Sequence, residues 1–261
     1  MRLAVVGASG RMGRAIVGLA AAAGMEVVCA VGASDLGRDA GELAGAGAMG
    51  VVVVGDVAAL GRAGADVVID FSAPGVTREL AAIAAAVGSA VVSGTTGLGD
   101  DARQALERAA AVVPVLWEPN MSVGVHLLAA LVARATTALP DFDLEIVEVH
   151  HKAKVDAPSG TALRLAEAAR AARTAATQLV HGRQGRPGPR ASAEIGMHAL
   201  RGGDVVGDHT VHLMGPGERL ELTHRATTRE VFARGALRAA QWIVRRPAGR
   251  YTLDDVLDVK R

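Results

Sequence analysis

The sequence predicts an α/β protein: a doubly wound parallel sheet followed by a second, α+β domain carrying a mixed sheet. Three observations predict it. The chain opens with an apolar run of strand length, a glycine turn and an alanine-rich helical stretch. Strand-length apolar runs then alternate with helical stretches as far as Asn120, the pattern of consecutive parallel βα units. Half of the 261 residues are hydrophobic, yet only 2% are aromatic and 32 are glycine. A core of Ala, Val and Leu fits α/β architecture better than an aromatic-rich sandwich.

Taken in order, residues 2–6 are the first strand, 7–13 the turn, and the helix continues to about residue 23. Further strands are expected at 26–31, 66–70, 89–93 and 113–117, with helices near 78–86 and 101–111. The pattern changes after Pro119 and Asn120. Residues 123–139 read as a helix stopped by Pro140, followed by a strand at 144–151 and a helix at 160–173. Residues 182–190, rich in Gly, Pro and Arg, read as a mobile loop. Three runs at 194–200, 204–213 and 219–227 follow closely and predict an antiparallel or mixed sheet. An amphipathic helix at 229–244 and a short one at 251–257 return the chain to the first domain. The expected domains are therefore 1–122 with 229–261, which is discontinuous, and 123–228, at a length where one core commonly gives way to two.

Formal net charge is +1, from 28 basic and 27 acidic residues, which supplies no overall field for nucleic acid or an anionic membrane. The lone Cys29 rules out an internal disulfide and reads as a small buried hydrophobe. The uncharged run 15–25 falls short of the roughly 20 residues that span a bilayer. A strand and a glycine turn precede it, in place of the basic start of a signal peptide. The expectation is a soluble, cytoplasmic protein with neither nucleic-acid nor membrane partners.

Gly7, Gly10 and Gly13 directly after the first strand give Gly-x-x-Gly-x-x-Gly, with Ser9 where a dinucleotide fingerprint has its middle glycine. A small Ser9 still allows a tight turn at Gly7, close phosphate approach at Gly10 and helix packing at Gly13. The alternative is an ordinary strand-to-helix turn. No acidic residue stands cleanly at the end of the second strand, where Gly32, Ala33 and Ser34 precede Asp35. A 2′-phosphate would meet no repulsion there, with Arg11 or Arg38 as candidate partners or as solvated arginines. Gly94, Thr95, Thr96 and Gly97 follow another strand end, where ligands bind in such sheets; they read as a nicotinamide contact or as a capping turn.

The segment 148–162 is the candidate chemical centre. It gathers His150, His151, Lys152 and Lys154 ahead of Pro158, Ser159, Gly160 and Thr161, which open a helix. Imidazoles titrate near neutrality, while lysines and helix-start amides attract carboxylates. Ser159 reads as the N-cap, leaving the Gly160 and Thr161 amides for an anion or for simple capping. Neighbouring His150 and His151 point to opposite faces of a strand, and no His-x-x-x-His or paired Cys occurs, so no metal site is expected. The other six histidines, His126, His181, His198, His209, His212 and His224, receive no role. These residues fit a reductase, a dinucleotide-sensing protein without turnover, or a reductase of a 2-imino acid; fold alone does not choose.

The stretches 6–13, 94–97 and 119–125, the string His150-His151-Lys152-Ala153-Lys154-Val155-Asp156-Ala157-Pro158-Ser159-Gly160-Thr161, residues 201–204 and the region 229–232 together resemble the 4-hydroxy-tetrahydrodipicolinate reductase family of lysine and diaminopimelate biosynthesis. The resemblance implies a Rossmann-like first domain and NADH- or NADPH-dependent reduction of a cyclic dicarboxylic imine, with loss of the 4-hydroxyl as water. It also implies a homotetramer built through the second domain. It makes His150 the acid/base group and Lys154 the proton donor. His151, Ser159, Gly160 and Thr161 hold the substrate. Gly7, Ala8, Ser9, Gly10, Arg11, Met12, Gly94, Thr95, Thr96, Glu118, Pro119, Asn120 and Met121 bind the cofactor. The sequence departs from the family at Gly32 and Ala33, where acidic and basic residues often meet the ribose, and at Met121, where an aromatic is frequent. Cofactor preference therefore stays open.

Overall fold

The computed structural model describes residues 1–173 and 176–259. Residues 174 and 175 of the expected second domain, and 260 and 261 of the first, lie outside the described residues. In chain order the elements are β1 (Arg2–Val6), α1 (Arg11–Ala20), β2 (Glu26–Val31), α2 (Ala40–Leu43), β3 (Val53–Val54), α3 (Leu60–Ala63), β4 (Val67–Asp70), α4 (Pro74–Val87), β5 (Ala90–Ser93), α5 (Asp100–Ala110) and β6 (Pro114–Trp117). Then come α6 (Val123–Ala138), β7 (Asp143–His150), α7 (Gly160–Ala172), β8 (Gln178–His181), β9 (Glu194–Arg201), β10 (Gly207–Gly215) and β11 (Glu218–Ala226). The last are α8 (Glu230–Ile243), β12 (Gly249–Tyr251) and α9 (Leu253–Leu257). The described chain divides into a unit of Met1–Val123 with Glu230–Asp258 and a unit of Gly124–Arg229 with Val259, so Val123 falls in the first unit and Arg229 and Val259 in the second, against the expected boundaries.

In the first unit the described strands form a seven-stranded parallel sheet in the order β12-β6-β5-β4-β1-β2-β3. Side chains alternate across it, so β1 sends Leu3 and Val5 to one face and Ala4 and Val6 to the other. The first face packs on α1, α8 and α9 through Ile16, Ala236 and Leu253, the second on α4 and α5 through Leu80 and Leu106. Both faces are covered, which is why these strands read as continuous apolar runs. Cys29 is buried in the second core, and burial raises its thiol pKa. Trp242 meets Tyr251 edge-on at 5.3 Å, and Trp117 donates its indole N–H to the Thr95 carbonyl at 2.9 Å.

The second unit holds a five-stranded mixed sheet in the order β11-β10-β7-β9-β8 among the described residues. β10 is antiparallel to β11 and to β7, whereas β9 runs parallel to β7 and β8. β9 and β10 follow each other in the chain yet are not neighbours, because β7 lies between them. On one face Leu144 and Ile146 of β7 stand beside Val211 and Leu213 of β10 and Ile195 and Met197 of β9, closed over by Val132 of α6 and Leu165 of α7. On the opposite face Glu145 accepts from Arg183 at 2.9 and 2.8 Å, Arg190 at 3.0 Å and His198 at 2.6 Å. The loop expected to be mobile at 182–190 is therefore fastened near both ends by its own arginines.

Candidate active site

In the second unit the face that is apolar at Leu144 and Ile146 turns polar two residues on. The alternation of β7 puts Glu148 and His150 on that same face, and register places His209 of β10 opposite Glu148. Glu148 is 1% exposed. Its carboxylate accepts from His150 Nδ1 at 2.5 Å, from the Ser159 amide at 3.1 Å and from both Arg201 terminal nitrogens at 2.8 and 2.9 Å. Burial opposes its ionisation, but the hydrogen bonds from Arg201, His150 and Ser159 prevail and hold the carboxyl below its ordinary pKa.

Ser159 caps α7: its Oγ accepts from the Ala162 amide at 3.1 Å and also meets His209 Nε2 at 3.0 Å. Beyond the cap the helix start is open, and a Cβ on Gly160 would meet nothing within 4 Å. His209 lies edge-on to His150 at 5.1 Å. Burial, reinforced by His150, drops its pKa to about 4, so the ring is neutral at physiological pH. His150 is the last residue of β7 and buried, whereas His151, just past the strand, is partly exposed and ties its amide to the Val205 carbonyl at 2.8 Å. Lys154 Nζ is held by both Asp156 oxygens, at 2.7 and 2.9 Å. His150, His209, Ser159 and the helix start thus come together in one unit, with Lys154 on the loop between β7 and α7.

In the first unit Gly7 follows β1 at φ +84°, a conformation that favours glycine, and its would-be Cβ would strike the Phe71 carbonyl. A Cβ on Gly13 would sit 2.1 Å from the Gly7 carbonyl, so α1 is drawn against the turn. Gly10 is the N-cap of α1 and contributes no side-chain cap, leaving the helix start to an outside acceptor. Ser9 turns its hydroxyl toward Gly32, where a Cβ would come within 2.6 Å of it, and accepts from the Ser34 amide at 3.4 Å. A crevice of about 560 Å³ is lined by Gly7, Ser9, Gly10, Gly32, Ala33 and Ser34 on one side and by Phe71 and Ser72 on the other. Glycine contacts too close for a side chain, an uncapped helix start and a crevice beside both fit the pyrophosphate and adenosine parts of a dinucleotide.

Arg11 is exposed at the start of α1, with Ala8 buried and Met12 half-buried beneath it. Asp35 is paired with Arg14 at 2.9 Å and Arg38 at 3.5 Å, so Arg38 already has a carboxylate partner within the chain. Gly94 and Thr95 are buried and Thr96 is exposed. The Thr95 hydroxyl donates to Asp70 at 2.9 Å, which leaves Thr96 as the accessible threonine. Glu118 is buried and Pro119 exposed, while Asn120 accepts from the Ser122 amide at 2.9 Å. Met121 is 1% exposed within the first core, so its side chain is packing and only its backbone can face a ligand.

Besides the roles of Glu148 and Arg201, two features escaped sequence reading. Asp70, fully buried, accepts from the hydroxyls of Ser72, Thr77, Ser93 and Thr95 and so ties together the carboxyl ends of β4 and β5. His209 stands 50 positions from its partner Ser159. The period-two series Gly207, His209, Val211, Leu213 was the signal that put it on a core face.

Two family models together cover nearly the whole chain: one described as dihydrodipicolinate reductase, N-terminus, matches residues 1–121, and one described as dihydrodipicolinate reductase, C-terminus, matches residues 124–257. The 4-hydroxy-tetrahydrodipicolinate reductase of Anaeromyxobacter sp. (strain Fw109-5) is 51% identical, over 100% of this chain and 98% of its own. The reductase of the same name from Archaeoglobus fulgidus is 48% identical, over 99% of this chain and 100% of its own. Among solved structures, dipicolinate-bound dihydrodipicolinate reductase from Paenisporosarcina sp. TG-14 shares the fold, with a TM-score of 0.79 at 24% identity over 97% of each chain.

Proposed function

The chain belongs to the dihydrodipicolinate reductase family, and from that premise we propose which of its residues carry each part of the reaction. That reaction is the nicotinamide-dependent reduction of 4-hydroxy-tetrahydrodipicolinate to tetrahydrodipicolinate, with loss of water, in lysine and diaminopimelate biosynthesis. When bound, the cofactor supplies the hydride.

Gly7, Ala8, Ser9, Gly10, Arg11 and Met12 hold the pyrophosphate through the uncapped start of α1. Thr96, with the backbone of Glu118, Pro119, Asn120 and Met121, orients the nicotinamide, and Gly94 and the buried Thr95, tied to Asp70, hold the turn that presents it. His150 holds and moves a proton at Nε2, the nitrogen opposite its Glu148 bond. Lys154 donates a proton from Nζ, and Asp156 keeps that ammonium within the loop until substrate arrives. His151, Gly160 and Thr161 receive the substrate carboxylates at the positive end of α7, while Ser159, buried with its amide on Glu148 and its hydroxyl on the Ala162 amide and His209, holds that helix start in place in lieu of the direct substrate contact expected of it. The observation that carries this reading is the buried Glu148–His150 pair beside the capped start of α7, which a protein that only senses a dinucleotide has no need of.

Both NADH and NADPH serve in this reading. No carboxylate ends β2, and Asp35, the first one after it in the chain, is paired with Arg14 and Arg38; the carboxylates that line the crevice, Asp56 and Glu79, come from other parts of the chain. The test is oxidation of each cofactor by the purified protein, coupled to enzymatically generated substrate. Oxidation of both is expected; oxidation of neither would favour a sensor. A cytoplasmic enzyme accords with the unpaired Cys29, and among the described residues no helix is long and apolar enough to cross a membrane. A homotetramer built through the second unit accords with the exposed Leu200 and Leu220 on its sheet, and sedimentation equilibrium measures it directly.

A further inference from the structure

An acid/base role for His150 requires its ring in one tautomer and one orientation, and the group able to impose both lies two residues earlier. Glu148 is buried, and its two oxygens meet His150 Nδ1, the Ser159 amide and the forked Arg201 guanidinium. Arg201 is itself tethered, donating to the Asp156 carbonyl at 2.8 Å and the Leu200 carbonyl at 2.7 Å. An ionised carboxylate only accepts, so the proton of a neutral His150 ring must sit on Nδ1. Nε2 is then the nitrogen left to exchange protons. The facing residue on β10 is Gly207, whose Cβ would come 3.0 Å from Nε2; the missing side chain keeps that nitrogen uncovered.

We propose that Glu148 is the positioning residue of this active site: it fixes His150 as the Nδ1–H tautomer, turns Nε2 toward the substrate and stabilises the imidazolium, while Arg201 and the Ser159 amide hold Glu148 still. The proposal rests on the acid/base reading of His150. The titratable and charged groups around the pair are Arg201 from β9, His209 from β10, His224 from β11, and Lys154 and Asp156 from the loop that leads to α7. Among the described residues Glu148 alone contacts the His150 ring as an anion.

The first measurement needs no variant. The ¹⁵N spectrum of the His150 ring in the wild-type protein without ligands should show the neutral form protonated at Nδ1; a ring protonated at Nε2 would overturn the proposal. Glu148→Gln keeps the shape and removes the charge. It should lower kcat about tenfold or more with substrate KM within about twofold. It should also move the alkaline limb of the kcat–pH profile, and the His150 ring titration followed by NMR, down, because the imidazolium loses its facing anion. Glu148→Asp should restore the position of that limb. A folded Glu148→Gln protein with unchanged profile and ring titration would reduce Glu148 to a structural role, even if its melting temperature fell. If that variant does not fold, the wild-type tautomer decides. Full turnover by His150→Gln would instead remove the acid/base reading on which the proposal stands.

Discussion

His150 and His209 are the same side chain put to opposite uses 5.1 Å apart. His150 faces an anion through Nδ1, while His209 is buried against Ser159 and kept neutral, with its pKa lowered to about 4. A neutral His209 can steady the cap of α7 without repelling a proton on its neighbour. His150→Gln should therefore lose about 10²-fold or more in turnover while cofactor affinity, read by fluorescence titration, stays unchanged; wild-type turnover would refute the assignment. Lys154→Ala should raise KM and lower kcat together, since the role proposed for Lys154 supplies both a charge for the substrate carboxylate and a proton. Unchanged values for both in steady-state assays would take Lys154 out of the site. The string from His150 to Thr161 was legible because its members are close in sequence. Glu148, Arg201 and His209 were not, because only the pairing of β7 with β9 and β10 brings them to the same ring.

At the scale of elements, α1 depends on its closest approach. Gly13→Ala places a methyl 2.1 Å from the Gly7 carbonyl, and the helix must move away. The expected cost is about 1–3 kcal/mol in urea denaturation, with weaker dinucleotide binding by calorimetry; wild-type stability would mean that the turn yields instead. The buried strands β1, β2, β4, β5 and β6 and the helices that cover them were legible, since each presents a long apolar run or face. The short β3, β8 and β12 were not. They lie at sheet edges, and β8 and β12 have no fully buried residue, so neither carries a run or an alternation to read. The 182–190 loop shows the converse failure. Its composition predicts mobility, but Arg183 and Arg190 found a buried carboxylate in a distant part of the chain, and composition carries no record of that.

Across the whole molecule, the groups that burial and pairing have shifted most lie in the second unit. Glu145 is held at about 2 against an ordinary 4.5: burial opposes its ionisation, but Arg183, His198 and Arg190 more than offset that. A carboxyl depressed in the folded state adds stability that is present above its unfolded value and lost as pH falls from about 4.5 toward 2, of order 3 kcal/mol at most. His209, depressed from 6.5 to about 4, has the same sign, its contribution fading as pH falls through that interval. The second unit should thus weaken below about pH 6 and further below pH 4. The two tryptophans and the single tyrosine, Trp117, Trp242 and Tyr251, all belong to the first unit. The protein is therefore a two-channel reporter of its own unfolding, with indole emission reading one unit and far-ultraviolet circular dichroism reading both. During an acid titration the dichroism should begin to decay while the emission maximum holds, and coincident curves would mean that the two units lose structure as one.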